Sequence, residues 1–388
     1  MPENPTTALV KTSQSPALAR VSSQLALTDK LLAKPEEPFL IPYRKGSKWG
    51  YCDRNKNIVI DCIYDRTEPL CSGFGAVQKN SRYVLLNNKG ALIAPLQFSA
   101  IGWANEGIIS VQRNGIIHLL NINGDLLPLD IKLNDYYYTW EYFPRFYEGI
   151  AKIKKSAKWG YIYKDGRYVT SQEFAHAGNF SNGMACVQVG KKYGFIDSQG
   201  EICISPDFDY CHDFCEDLAA VSKNNKWGYI DTKGNLVIDF VCEKAENFSN
   251  GLAVVKYKGK YGHVNKLGNF ISPLRSGRVE SFNNGLAFVY YWDGNRERGF
   301  IDTNNNFVID CFDFAIVYGF MGKLAVVSKD NQYGCINRKG DLKIPTIYHC
   351  INHYEFKDGL AYAHVGKICF DWSNGGYLDE LGVEYWEE

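Results

Sequence analysis

One short signature recurs along this chain at a fixed spacing, and that recurrence limits the fold to an array of like units. KWGY stands at Lys48–Tyr51, KWGYIY at Lys158–Tyr163 and KWGYID at Lys226–Asp231. Looser copies are YGFID from Tyr193, YGHVN from Tyr261, RGFID from Arg298, YGCIN from Tyr333 and GGYLD from Gly375. Two degenerate copies, YVLLN from Tyr83 and IIHLLN anchored at Ile117, fill the gap. With the Trp position as anchor, ten repeats start at 49, 83, 117, 159, 193, 227, 261, 298, 333 and 375, mostly 34 residues apart. A length of 388 residues would otherwise suggest two or three ordinary domains. Self-similarity replaces that expectation with an array covering everything from about residue 39 onward.

Two further positions keep phase. Seven residues after the anchor stands Gly in eight of ten copies, with Lys56 and Asn305 as the exceptions. A second motif, F-x-x-G-L-A-x-V, follows in most repeats: FSNGMACV at Phe180, FSNGLAVV at Phe248, FNNGLAFV at Phe282 and FKDGLAYA at Phe356. In the cleanest copy, LAAV (Leu218–Val221) and WGYID (Trp227–Asp231) are short apolar runs joined by a polar hairpin. DTKG (Asp231–Gly234) supplies a capping carboxylate and a Gly free to take positive φ, and NLVI (Asn235–Ile238) makes a third strand. Each repeat is therefore expected to be a three-stranded antiparallel meander followed by a connector of about a dozen residues. The Gly beside the aromatic leaves room for a neighbouring strand. The high aromatic fraction, 14%, and the 36 Gly are mostly this pattern written ten times.

The KWGYID core at Lys226, the Gly-terminated turn and FSNGLAVV at Phe248 resemble the WG-repeat, or KWG-repeat, family of bacterial proteins, over roughly Phe39–Glu388. The chain departs from that pattern at Val84, His118, Arg298 and Gly375. The resemblance implies a repeat array and carries no catalytic residues to transfer. Ten short units fit poorly into one propeller of 4–8 larger blades, and an open solenoid or superhelix accepts any copy number. FLIPY (Phe39–Tyr43) and VEYW (Val383–Trp386) complete whole units with no split blade between them. The expectation is an all-β open array, with a closed propeller-like ring as the alternative.

Lys+Arg and Asp+Glu both number 43, so no global field holds a polyanion, which disfavours nucleic acid. The first twenty residues are polar and lack an export signal. No apolar run is long enough to span a membrane as a helix. The twelve Cys then read as reduced, small apolar residues of a cytoplasmic protein. Met1–Lys34 is also compatible with a leader for a dedicated export machine. Residues 1–38 are expected to be a flexible leader in which Leu18–Ala33 forms a short helix capping the first repeat.

Three groups of residues invite a chemical reading. Cys203, Cys211, His212 and Cys215 suggest a metal, but C-x3-C lacks a partner pair, and packing accounts for these residues better, as it does for His349, Cys350 and His353. Asp53, Asp197, Asp231, Asp302 and Asp379 recur at one position where Asn87, Asn121, Asn265 and Asn337 also occur. A catalytic carboxylate does not exchange with an amide so freely, whereas a turn cap does. With no phosphate loop or nucleophile motif either, no catalytic residue, metal or cofactor is expected. The third group breaks the period: an eight-residue insertion within Leu133–Gly149 carries Tyr136, Tyr137, Tyr138, Trp140 and Tyr142. Insertions in arrays map to one face, and Tyr and Trp dominate interface hot spots. The competing role for these rings is to plug over the two degenerate repeats. The sequence thus points to a non-enzymatic scaffold binding a protein partner through those aromatics, with a glycan or cell-envelope ligand module as the alternative.

Overall fold

Each repeat folds as its punctuation dictates, around a small antiparallel sheet. The computed structural model describes residues 40–387 apart from 94–96, 128–130, 133–142, 156, 171–172, 293–296, 353–358 and 366–374. The chain divides into Met1–Phe39 and Leu40–Glu388. The expected leader and capping helix, residues 1–38, lie outside the described residues. Among the described residues every regular element is a strand, and the strands form ten sheets, one per repeat.

In the repeat anchored at Trp227 the strands are Tyr210–Cys211, Leu218–Lys223, Lys226–Asp231 and Leu236–Cys242, each antiparallel to the next. The three expected strands are present, and the connector adds a short one in front of them. At four junctions a single residue separates the fourth strand of one sheet from the first of the next, as Asp209 does between Phe208 and Tyr210. That bend explains the Lys of KWG. Lys48 Nζ pairs with Asp65 at 2.7 Å, and the other carboxylate oxygen of Asp65 accepts the Asn80 amide at 2.8 Å in the following repeat's hairpin. Lys192, Asp209 and the Asn224 amide repeat the arrangement.

The Gly of WG is fixed by the fourth strand. That strand bulges against the third in the repeats anchored at 49, 193, 227 and 333. The bulge pushes a carbonyl over the Gly, so a Cβ on Gly228 would lie 2.4 Å from the Ile238 oxygen, and one on Gly50 2.2 Å from that of Ile60. In the repeat anchored at Trp159 the fourth strand is reduced to isolated bridges, and among the described residues a Cβ on Gly160 meets nothing within 4 Å.

The aromatic two residues after the anchor reaches into the next repeat. Tyr51, Tyr161 and Tyr229 donate their hydroxyls to the carbonyls of Glu68, Gly178 and Glu246, at 2.6, 2.9 and 2.7 Å. The His263 Nε2 lies 3.0 Å from the Glu280 carbonyl in the same way. Each of these rings but Tyr51 also meets the Phe of the next FxxG motif: Tyr161 meets Phe180 at 5.2 Å between centroids, Tyr229 meets Phe248 at 4.8 Å and His263 meets Phe282 at 4.7 Å. Phe195 and Phe300 keep the stack without the hydrogen bond, meeting Phe214 and Phe320. Such pairs contribute about 0.5–1.5 kcal/mol beyond the area they bury. Apolar clusters accordingly sit between sheets, joining each neighbouring pair from the first repeat to the tenth.

The two ends of the array also meet, which selects the closed ring, the alternative, over the open solenoid. Trp386–Glu387 runs parallel to Ile41–Lys45 and joins the first sheet as its fourth member. The amides of Arg44 and Gly46 donate to the carbonyls of Tyr385 and Glu387 at 3.2 and 3.0 Å. Immediately before this, the Tyr385 amide donates to Tyr377 of the tenth repeat, so one segment is bonded to both ends. Arg44 Nε donates to the Gly375 carbonyl at 2.6 Å, and Trp49 packs on Tyr362 and Tyr377. The array is a closed ring of sheets. The split that closes it was hidden because VEYW reads as an ordinary fourth strand.

A second correction concerns the Cys residues. Cys186 and Cys211 form a disulfide linking the sheets of the fifth and sixth repeats. Cys52, Cys311 and Cys335 are buried free thiols, and burial pushes each of them up to about 12, as befits core residues.

Gly228 and Gly160 make a paired test by thermal unfolding. Gly228→Ala should lower stability by about 1–3 kcal/mol, since its neighbour is backbone and gives way only by strain. Gly160→Ala should be neutral or slightly stabilising. Equal effects would show that the bulged carbonyl is not what selects Gly.

Candidate interaction surface

The recurrent carboxylates belong to turns. Asp231 Oδ1 accepts the amides of Lys233 and Asn235, and its Oδ2 accepts the Asn235 side-chain amide at 2.9 Å. Asp53 and Asp302 are bonded identically. Asn87, Asn265 and Asn337 make the same pair of backbone bonds through their amide oxygens. The following Gly takes positive φ, +80° at Gly234, and the two exceptions are held there as well, Lys56 at 64° and Asn305 at 65°. The Asn235 side chain and the turn amides hold the Asp231 carboxyl below the ordinary aspartate range.

The Cys and His residues do not converge. Cys203 lies exposed on a fourth strand, Cys211 is in the disulfide and Cys215 is half-buried. Among the described residues no group of three or more His, Cys, Asp or Glu is placed to hold a metal ion. His353 lies outside the described residues, as do Tyr136, Tyr137, Tyr138, Trp140 and Tyr142. The described end of that insertion is core: Phe146 is buried, its carbonyl accepts from Asn105, and Phe143 lies over Gly102.

Two surfaces emerge that the sequence reading passed over. The first is an apolar row. Two residues after each turn Gly position, the first nine repeats place Ile58, Leu92, Leu126, Tyr168, Ile202, Leu236, Phe270, Phe307 and Leu342, all 41–64% exposed. The tenth repeat has Glu384 there. The signal was present in the sequence as an apolar residue in constant phase, but phase alone does not tell an exposed position from a buried one.

The second surface is a ladder of rings over the fourth to sixth repeats. Lys152 and Lys154 lie over Trp159. His176 meets Tyr193 at 5.6 Å, Tyr193 meets Tyr210 at 5.0 Å, and His212 meets Trp227 at 4.9 Å. Asp213 sits beside the ladder, accepting the Asn179 amide at 3.3 Å, and burial holds its carboxyl above the usual range. Burial also lowers the affinity of His176 for a second proton.

These features define a class before they define a family: a closed ring of repeated antiparallel sheets whose recurring polar residues serve turns and whose recurring exposed residues are apolar. The model of the WG-containing repeat matches residues 49–83, 159–193, 193–227, 227–261, 261–291, 299–333 and 333–366, more than half of the chain. The chain belongs to that family. No curated protein matches it. Among solved structures, a eukaryotic initiation factor is similar at 10% identity, with 89% of this chain and 94% of that one covered and a TM-score of 0.51. The computationally designed Ika8 protein (13% identity, 73% and 96% covered, TM-score 0.42) and Hsv2p of Kluyveromyces lactis (10%, 82% and 98%, 0.34) are more distant in shape. At such identities the likeness concerns the fold alone. No helix among the described residues is long and apolar enough to cross a membrane.

The turn assignment has a pH consequence. Asp231, Asp53 and Asp302 are held below their ordinary value of 3.8 in the folded chain, so the stability they contribute is present above that pH and lost as pH falls through the folded values. Asp231→Asn should leave the melting temperature at pH 7 nearly unchanged and flatten its decline below about pH 4. A large loss at neutral pH would contradict a capping role.

Proposed function

We propose that this chain is a non-catalytic scaffold whose ring binds another protein. The observation that carries the reading is the apolar row: one large exposed side chain in the same phase of nine successive repeats. Scattered exposed apolar residues are ordinary, but a recurrent row on a closed array is the signature of a surface meant to be covered. The Tyr/Trp insertion (Tyr136, Tyr137, Tyr138, Trp140 and Tyr142) is the natural second contact, because it breaks the period with the residue types that anchor interfaces. The absence of a catalytic role rests on the recurring carboxylates being spent on turn amides. Balanced charge favours a protein over a nucleic acid partner. The buried free thiols of Cys52, Cys242, Cys311 and Cys335, set against one disulfide, support a cytoplasmic address.

A second reading, a glycan-binding module, is favoured by the ladder from Trp159 to Trp227. There aromatic rings lie beside a carboxyl and two imidazoles, the groups that would stack a sugar and bond its hydroxyls. The deciding experiment is affinity capture on the immobilised full chain, from native lysate and from purified polysaccharide, with a variant carrying Leu92→Asp, Tyr168→Asp and Leu342→Asp. Retention of a protein partner by the wild type and a loss of tenfold or more in the folded variant is expected. Saturable polysaccharide binding that the variant leaves intact would replace the first reading with the second.

A further inference from the structure

Three of the ten sheets end in an edge of one composition. Ile58–Tyr64, Leu236–Cys242 and Phe307–Asp310 are the fourth strands of the first, sixth and eighth repeats, and each is terminal in its sheet. The first two expose two apolar residues, then an Asp, then another apolar residue: Ile58, Val59, Asp61, Ile63; and Leu236, Val237, Asp239, Val241; the third exposes Phe307, Val308 and Asp310, with Phe312 in the turn just past the strand, where its amide donates to Asp310 Oδ1 at 2.9 Å. The nine apolar side chains are 41–50% exposed. Asp61, Asp239 and Asp310 are exposed, and among the described residues none is in an ion pair. The corresponding strands of the fifth and ninth repeats, Ile202–Phe208 and Leu342–Tyr348, carry Pro206 and Pro345 instead. Proline removes a backbone donor and closes an edge to further pairing. Two edges are thus blocked, and three are left with a single negative charge that has no ion-pair partner among the described residues.

A second copy of this chain is a poor occupant, because it would bring the same carboxylate to each edge, and like charges across a strand pair are destabilising. We infer that these edges receive an extended segment of a partner protein, added as a further strand, in which apolar residues alternate and one Lys or Arg faces Asp61, Asp239 or Asp310. Main-chain bonds to the open edge hold such a segment, the exposed apolar side chains bury its own, and the carboxylate fixes register and excludes acidic sequences. The inference rests on the reading of the ring as a protein-binding scaffold and names the chemistry of what it binds.

The test uses the full chain and a fluorescent probe peptide alternating Val and Thr around one central Lys, with binding read by anisotropy. The expected result is saturable binding that weakens at least tenfold in the triple variant Asp61→Lys, Asp239→Lys, Asp310→Lys and returns when the peptide Lys is replaced by Glu. A neutral triple variant, Asp61→Asn, Asp239→Asn, Asp310→Asn, guards against a folding defect and should give an intermediate loss. N-methylation of the peptide backbone on the edge-facing residues should abolish binding. Binding of the Lys and Glu peptides equally to the wild type, no binding of either, or indifference to N-methylation would overturn the assignment. Capture of a lysate protein by wild type and charge-reversed ring alike would overturn the edge site while leaving the scaffold reading in place. Failure of the wild type to retain any protein would remove the scaffold reading itself.

Discussion

The stability of the ring depends on one contact made again and again: the aromatic of WGY reaching out of its own sheet to a carbonyl and a Phe in the next. A single small sheet of this kind cannot bury both faces, so isolated repeats have no stable fold and neighbouring repeats supply one another's core. Tyr229 shows how closely the two motifs are coupled. Its ring packs on Phe248 and its hydroxyl satisfies the Glu246 carbonyl, so the WG motif of one repeat and the FxxG motif of the next are halves of one joint. Where Phe195 or Phe300 replaces Tyr, the stack alone remains, and where His263 replaces it, an imidazole nitrogen takes the place of the hydroxyl. The joint tolerates substitution because its geometry is set by the backbone on both sides.

That backbone is itself constrained by two glycines with different tasks. The Gly of WG has no room for a side chain under the bulged fourth strand. The Gly of the turn sits at positive φ and in five repeats packs on the Ile eleven residues after the previous anchor, as Gly268 does on Ile238. Lys56 and Asn305 show that this second position is set by the turn, since they adopt the same conformation at a cost Gly avoids.

Much of this was legible beforehand. The phase of Trp, Gly and Phe located the strands and turns, and the exchange of Asp for Asn at the turn pointed to capping, the role that the hydrogen bonds of Asp231 and Asn265 show. What escaped was long-range. Trp386 and Glu387 carry no mark of pairing with Arg44 and Lys45, because a parallel contact between chain ends leaves no local period. The Cys186–Cys211 link was equally hidden, since 25 residues separate two Cys that read as core positions of adjacent repeats. The row at Ile58 and its equivalents keeps a constant phase in the sequence, but phase does not tell an exposed position from a buried one. The aromatics from Tyr136 to Tyr142 lie outside the described residues, so their place in the site rests on the sequence.

Closure converts a string of equal joints into a single cooperative object, and it does so through one short segment. The amides of Arg44 and Gly46 are the most direct reporters, because their acceptors come from the far end of the chain. Amide hydrogen exchange of the full chain, compared with a chain ending at Gly382, measures them. Closure predicts protection of both amides comparable to that of the central strand Leu218–Lys223, lost in the shortened chain. Rapid exchange at Arg44 and Gly46 in the full chain, with Leu218–Lys223 still protected, would mean that the array is open.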